Sequence, residues 1–327
     1  MTALEQHILD VIQDAFPLEE RPYQVLANML NAQGRVGELP RESTTEQQVF
    51  DVVENLRKSG VIRRLGGIYD SHKLGFISRL CAGKVPTIAT GASDDSALEK
   101  FAAEVNEIHA ITHNYVRSHE YNVWFTVIAQ SEDEIRAVVD SLCSVTDLHD
   151  VHVLSVTKKF KIDTVMTRGP RNTVATAPVE SKCRALDLSD RARIRIACGD
   201  IPHSLTPFND WGISVEELRS DIAGGFMRRF GAILRHQQAG FAYNAMICFD
   251  APTVAGAVLA KNSHVSHCYE RPAFEGFPYT LYAMMHAQTA AELDRYVKDA
   301  AQSIDCCDYV VLHSVRELKK TSYWYFM

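Results

Sequence analysis

Leu4, Ile8, Leu9, Ile12 and Phe16 fall on one face of a 3.6-residue period, and Pro17 closes the run, so the chain opens with a helix. Tyr23 to Leu30 reads as a second, shorter helix, and Val49, Val52, Val53 and Leu56 stripe a third that Gly60 stops. From Val61 to Tyr69 the pattern turns strand-like, and that stretch is expected to be a β wing. Three helices and a wing describe a winged helix-turn-helix. The alternation then predicts a strand over 76–85, a helix over 96–105 and strands over 110–117 and 121–129. A helix over 132–142 and a strand over 151–160 complete the order βαββαβ, a ferredoxin-like unit.

The same pattern occurs a second time. Ile62-Arg-Arg-Leu-Gly-Gly-Ile, running on to Leu74-Gly75-Phe76, aligns without a gap on Met227-Arg-Arg-Phe-Gly-Ala-Ile, running on to Ala239-Gly240-Phe241. His113-Asn-Tyr-Val-Arg117 matches His267-Cys-Tyr-Glu-Arg271 as HxYxR, and Pro17-x4-Pro22-Tyr23 matches Pro202-x4-Pro207-Phe208. Three matches in one order make a duplication. Strands near 241–249, 265–271, 279–285 and 309–315, with helices near 253–261 and 290–301, repeat the ferredoxin-like order. The expected fold is therefore α+β. Two tandem copies of a winged helix-turn-helix plus a ferredoxin-like domain pair about a pseudo-two-fold axis. The expected boundaries are 1–70 and 71–165 for the first half, a Pro- and Gly-broken linker over 166–186, and 187–236 and 237–327 for the second half.

Composition narrows the function classes. No apolar run approaches the roughly 20 residues of a membrane span, and the acidic start MTALEQHILD is unlike a signal peptide. The eight cysteines include no CxxC pair, so no metal site is expected, and reduced thiols in the cytoplasm are the simplest reading. A winged helix followed by a ferredoxin-like domain is the plan of the leucine-responsive regulators, which makes DNA binding the first hypothesis to weigh. The charges oppose it. The candidate recognition helix Thr45–Ser59 carries Glu46, Asp51 and Glu54 against Arg57 and Lys58. Its counterpart Ser214–Gly225 carries Glu216, Glu217 and Asp221 against Arg219. Helices that neutralise phosphates are basic, so no nucleic-acid partner is expected. The segment Asn31 to Pro40 also stretches the first helix-turn-helix.

The chemistry-bearing residues cluster on the strands. Period-two alternation puts His113, Tyr115, Arg117 and His119 on one sheet face, and the second half repeats His267, Tyr269 and Arg271. Such a face is poor as a hydrophobic core, and its buried polar groups imply a ligand or a partner. The stretches His113-Asn-Tyr-Val-Arg-Ser-His-Glu-Tyr-Asn-Val-Trp-Phe-Thr126, Ser266-His-Cys-Tyr-Glu-Arg-Pro272 and Pro278-Tyr-Thr-Leu-Tyr-Ala-Met-Met-His286 resemble the paired signatures of siroheme decarboxylase subunits. The Arg63-Arg64-Leu-Gly and Arg228-Arg229-Phe-Gly stretches are similar to that family's as well. The resemblance covers nearly the whole chain, with both subunit types in one polypeptide.

The resemblance implies removal of carbon dioxide from two acetate arms of siroheme, giving didecarboxysiroheme on a haem-forming route. The protonated tetrapyrrole can take up the electron pair, so no cofactor is expected beyond the iron that arrives with the substrate. The protein must grip carboxylates and deliver protons. His113 and His267 are the candidates for proton delivery, with Tyr115 and Tyr269 beside them. Arg117, Arg271, His119, Tyr279, Arg63, Arg64, Arg228, Arg229, Lys161 and Lys319 are the candidates for substrate binding, the arginines and lysines through its carboxylates. A histidine, His264 or His267, could also ligate the iron of the substrate or of a bound haem. The pair His149 and His152 reads as structural. The halves are expected to pair within the chain, and further homo-oligomerisation stays open. Two other functions remain to be separated from the enzyme: a tetrapyrrole-binding sensor, and a ligand-responsive DNA regulator.

Overall fold

The computed structural model describes residues 1–32, 43–86, 96–162, 165 and 185–326. The stretched segment before Pro40 and most of the expected linker lie outside the described residues. The chain forms two compact units, and each joins like parts of both halves. One holds Met1–Leu74, Val165–Gly240 and the residues from Trp324 onward; the other holds Gly75–Thr164 and Phe241–Tyr323. The last residues, expected within the second ferredoxin-like domain, belong instead to the winged-helix unit. There the Tyr325 hydroxyl lies 2.6 Å from the Ser71 hydroxyl, and the Phe326 carbonyl accepts from Arg195. Among the described residues, no helix is long and apolar enough to cross a membrane.

The winged-helix unit contains α1 (Ala3–Asp14), α2 (Pro22–Ala32), α3 (Glu46–Lys58) and β1 (Ile62–Tyr69) from the first half. The second half supplies α6 (Leu188–Ala197), α7 (Pro207–Trp211), α8 (Val215–Ala223) and β7 (Met227–Leu234). Capping boxes start four of these helices, at Thr2 with Glu5, Thr45 with Gln48, Asp187 with Asp190 and Ser214 with Glu217. The predicted apolar stripes are buried, with Ile8, Ile12, Val49 and Val53 fully inside.

The expected wings are strands that pair with each other. β1 and β7 form an antiparallel two-stranded sheet with Gly66 opposite Gly231. Each strand alone would present an unpaired edge, and the duplicated copy covers it. The glycines permit close approach to carbonyls: a Cβ on Gly66 would stand 2.1 Å from the Gly199 oxygen. Gly66→Ala is therefore expected to destabilise this unit by about 1–3 kcal/mol through forced backbone movement, read as a lower denaturation midpoint.

The ferredoxin-like unit has the first-half order β2 (Ile77–Lys84), α4 (Ser96–Glu107), β3 (Ile111–Arg117), β4 (Val123–Ala129), α5 (Glu132–Val145), β5 (His149–Leu154) and β6 (Lys158–Ile162). The second half contributes β8 (Tyr243–Phe249), α9 (Thr253–Lys261), β9 (Val265–Glu270), β10 (Leu281–Ala287), α10 (Ala290–Ser303) and β11 (Tyr309–Lys320). All nine strands form one sheet, ordered β5-β2-β4-β3-β11-β8-β10-β9-β6. The single strand expected over 151–160 is broken. β5 stays on β2 of its own half, and β6 crosses to pair with β9 of the other. β11 makes the same change of partner within one long strand, from β8 to β3, with a bulge at Ser314–Arg316 that leaves Val315 exposed. The exchange is what joins the halves.

Three apolar clusters fill this unit. Two lie under the helices of each half, around Phe101, Phe125 and Ile135 and around Phe249, Leu259 and Leu293. The third draws Ala82, Tyr121, Trp124 and Leu154 from the first half against Met246, Cys248, Phe277, Tyr282 and Leu312 from the second. It lies on the sheet faces turned away from the helices, which are the faces that carry the HxYxR motifs.

Candidate functional site

β3 and β9 are built alike. Ile111 and Val116 enter the helix-side core of the first half, and Val265 and Cys268 that of the second. Alternation turns His113, Tyr115 and Arg117, and equally His267, Tyr269 and Arg271, to the opposite face. A register shift just before each histidine adds a hydroxyl residue beside the ring. The Thr112 hydroxyl lies 2.9 Å from His113 Nδ1, and the Ser266 hydroxyl 3.0 Å from His267 Nδ1. The duplicated bulges hold both imidazoles by the same atom.

The two arginines carry the strongest signal. Arg117 is 5% exposed and Arg271 8%, and among the described residues neither forms an ion pair with a carboxylate. Arg117 Nη1 donates to the Leu312 carbonyl (2.9 Å) and the Ser314 hydroxyl (3.0 Å), with its Nη2 against Met284 Sδ at 3.8 Å. Arg271 Nη1 donates to the Leu154 carbonyl at 2.9 Å. Each guanidinium lies over the tyrosine two residues before it, at 5.2 Å from the ring centroid. The Nε atoms of both are buried without an acceptor. Burial pushes Arg117 down to about 10 and lowers Arg271 as well, yet at neutral pH Arg117 remains a cation. Both lie close enough to Cys248 to favour its thiolate, but burial outweighs them and pushes that thiol up.

His119 sits in the turn after β3. Its Nδ1 accepts the Tyr121 amide at 3.1 Å, so the neutral ring carries its proton on Nε2. The ring stacks on Tyr121 and meets the edge of Phe277, and burial lowers its proton affinity. Tyr279 packs edge-on against Phe277 at 4.9 Å, and burial raises its hydroxyl pKa. Met284, opposite His267 in the ladder, and Ser314, which donates to Asn244 at 2.5 Å, complete the polar lining around Arg117. Neither Ser314 nor Asn244 belongs to a repeated motif, and no sequence signal singles them out.

The chain matches the family model described as the AsnC-like ligand binding domain over residues 73–161 and 238–319. Residues 5–35 match the siroheme decarboxylase NirDL-like HTH domain. Siroheme decarboxylase of Hydrogenobacter thermophilus is 31% identical over 98% of this chain and 94% of its own length. The chain belongs to the siroheme decarboxylase family. The siroheme decarboxylase alpha subunit of Desulfovibrio desulfuricans is 40% identical over 162 residues, covering 50% of this chain and 82% of the subunit. Among solved structures, siroheme decarboxylase NirDL in co-complex with an iron-uroporphyrin III analogue aligns with a TM-score of 0.66 at 27% identity. That alignment covers 98% of this chain and 93% of the other.

Against this family background, the structure sorts the sequence candidates into separate places. The two HxYxR triplets, His119 and Tyr279 come together in the ferredoxin-like unit. Arg63, Arg64, Arg228 and Arg229 lie in the winged-helix unit. Arg64 donates to the Gly199 and Gly67 carbonyls, Arg228 pairs with Asp70 at 3.1 Å, and Arg229 donates to the Gln13 carbonyl. Arg229 ties β7 to α1, Arg64 ties β1 to the end of α6, and Arg228 ties β7 to the residue after β1.

Lys161 and Lys319 are set under helix ends. Lys319 Nζ donates to the carbonyls of Val105, Asn106 and Ile108 at 2.8–3.0 Å, at the close of α4, and Lys161 Nζ to Asn262 at 2.9 Å, at the close of α9. Each adds a charged donor to carbonyls at a helix end. Lys319→Met is expected to cost about 1–3 kcal/mol of stability while leaving the KM for substrate unchanged; a raised KM would return the residue to the site. His264 stacks on Tyr296 of α10 at 3.6 Å, on the helix side of the sheet.

Proposed function

We propose that this chain is a siroheme decarboxylase that removes two acetate carboxyl groups from siroheme. The observation that carries the reading is the pair of buried arginines, at matching positions of the two halves, with no carboxylate paired to them among the described residues. A buried cation without a partner costs stability, and a carboxylate-rich ligand offsets that cost. Arginine suits the task because its planar edge takes a carboxylate through two parallel hydrogen bonds.

The chemistry follows from what these side chains can do. A guanidinium holds a carboxylate that stays, or orients one that leaves, in surroundings lined by Tyr115, Tyr269 and Tyr282. When the bond between the acetate methylene and its carboxylate breaks, the electron pair passes into the protonated macrocycle. One proton then returns to the carbon, so each carbon dioxide lost consumes one proton. His113 and His267, each held by a hydroxyl at Nδ1, are placed to donate from Nε2. Siroheme brings its own iron and electron sink, so we propose that the reaction needs no added cofactor.

The acidic helices support a function without nucleic acid. Arg57, one of the two cations of α3, is buried and paired with Glu54 at 3.3 Å and Asp200 at 3.2 Å. The described cysteines are all free, in keeping with a reducing compartment, and we place the activity in the cytoplasm.

Anaerobic incubation of the purified protein with siroheme, followed by mass analysis of the pigment, tests the reading. Loss of two carbon dioxide units, about 88 mass units, is expected without any added cofactor. A pigment that co-elutes with the protein at unchanged mass would reduce the protein to a tetrapyrrole-binding sensor.

A further inference from the structure

Beside Arg271 the two halves stop being alike. The chain leaves β9 through Arg271 into a tight hairpin, Pro272–Pro278, closed by a Phe274–Phe277 bridge and turned at Gly276 with φ +76°. Two residues of the first half, Tyr121 and His152, touch this hairpin, and Asp150 and Lys84 hold them in place. The Tyr121 hydroxyl lies 3.2 Å from the Glu275 carbonyl, 3.1 Å from Asp150 Oδ2 and 3.2 Å from His152 Nε2. His152 Nε2 is also 3.1 Å from Asp150 Oδ1, and its ring stacks on Phe274 at 4.1 Å. Lys84 Nζ reaches Asp150 at 2.8 Å and Glu120 at 3.2 Å. Asp150 adopts φ +48°, a left-handed conformation that a non-glycine residue rarely takes.

The duplication supplies an internal control. The ladders place His152 and Trp124 on either side of Ala82, and Val310 and Tyr282 on either side of Cys248. His152 therefore corresponds to Val310, Lys84 to Asp250, Asp150 to Asp308 and Tyr121 to Tyr279. The tyrosine–aspartate contact is kept, since Tyr279 bonds Asp308. The imidazole and the ammonium are not. The second half closes its ladder with valine and aspartate at these positions, without the register shift that the first half makes between Ala82 and Lys84, so strand pairing itself does not require the histidine or the lysine.

The location supplies the role. His152 stands two residues before Leu154 on the same face of β5, and the Leu154 carbonyl is the acceptor that holds Arg271. The cluster therefore fixes Arg271 from both sides, through β5 and through the hairpin. Arg117 takes the matching carbonyl, that of Leu312, and differs in adding the Ser314 hydroxyl with Asn244 behind it.

We infer that Tyr121, Asp150, His152 and Lys84 are positioning residues for Arg271, a clamp that sets one of the two carboxylate forks and is absent from the other. The inference rests on the proposed role of Arg271 in gripping a siroheme carboxylate. It makes the two forks unequal: beyond the leucine carbonyl that each has, the Arg271 fork is set by the clamped hairpin and the Arg117 fork by a neutral hydroxyl.

His152→Val tests it, because valine is the residue the second half uses at this place. Amide hydrogen exchange of residues 274–277 reads the clamp directly, and faster exchange is expected in the variant; unchanged exchange would overturn the clamp whatever the protein's activity. Anaerobic siroheme titration of four proteins, the parent, His152→Val, Arg271→Met and the double variant, then reads the coupling. His152→Val is expected to weaken binding about tenfold in the parent and to change nothing further in the Arg271→Met background. An equal loss in both backgrounds would show that the cluster acts without Arg271 and would overturn the inference. A parent protein that fails to bind siroheme would instead sink the functional reading, while the exchange experiment would still decide the clamp.

Discussion

Arg271→Met is expected to weaken siroheme binding and cut turnover together, by about 100-fold or more, while leaving the protein as stable as the parent or more so. The activity loss follows from removing two charge-assisted hydrogen bonds, each worth about 1.5–3 kcal/mol, to a carboxylate that stays buried. The stability gain follows from the free protein. Folding lowers the proton affinity of Arg271, so below its folded pKa the charged group opposes folding, and stability rises only as pH climbs through that pKa toward the higher unfolded one. Methionine fills similar volume without a charge, and such replacements are neutral or stabilising by about 1–4 kcal/mol. Thermal melts with and without siroheme separate the two effects: the ligand should raise the parent midpoint far more than that of the variant. A destabilised variant with intact binding would make Arg271 a structural residue. The same substitution at Arg117 is expected to show the same sign, since burial lowers its proton affinity too.

Phe277→Ala is expected to be the most destabilising single change in the ferredoxin-like unit, at about 3–5 kcal/mol. Phe277 is fully buried and is the meeting point of the third core. Its ring lies 4.9 Å from Tyr279, 5.0 Å from Phe274, 5.4 Å from His119 and 5.6 Å from Trp124, so both halves lose contacts at once. The surrounding rings are themselves fixed by hydrogen bonds, among them Trp124 Nε1 to the Tyr121 carbonyl at 2.7 Å, which limits collapse into the cavity. Denaturant unfolding followed by tryptophan fluorescence reads the loss. A change below about 1 kcal/mol would mean that the two half-sheets hold together without this core.

Much of this was legible along the chain. Helices and strands could be read because apolar spacing switches cleanly between 3.6 and 2, and the gapless match of Ile62–Phe76 with Met227–Phe241 exposed the duplication. The HxYxR motif led to the right strand faces because alternation fixes which side chains share a face whatever the sheet pairs with. Local pattern could not show partners. β1 and β7 look like wings until the other half supplies the opposite strand, and the run over 151–160 looks continuous until it has to pair at both ends of one sheet. Nor could it separate an arginine or lysine that binds a ligand from one that satisfies a helix end. Lys319 and Arg117 are both basic residues on paired strands, and only the carbonyls of Val105, Asn106 and Ile108 show that the lysine is occupied.

His149 and His152 illustrate the limit in the other direction. Their spacing signals nothing, and His152 gains a role only when β5 sets it against Tyr121 and a hairpin lying 120 residues further along the chain. The sequence by itself therefore determined the elements, the duplication and the chemical character of one sheet face, because these depend on near neighbours. The tertiary structure decided which cations remain without a carboxylate and what holds them, because charge compensation and burial are set by atoms that meet only when both halves fold together.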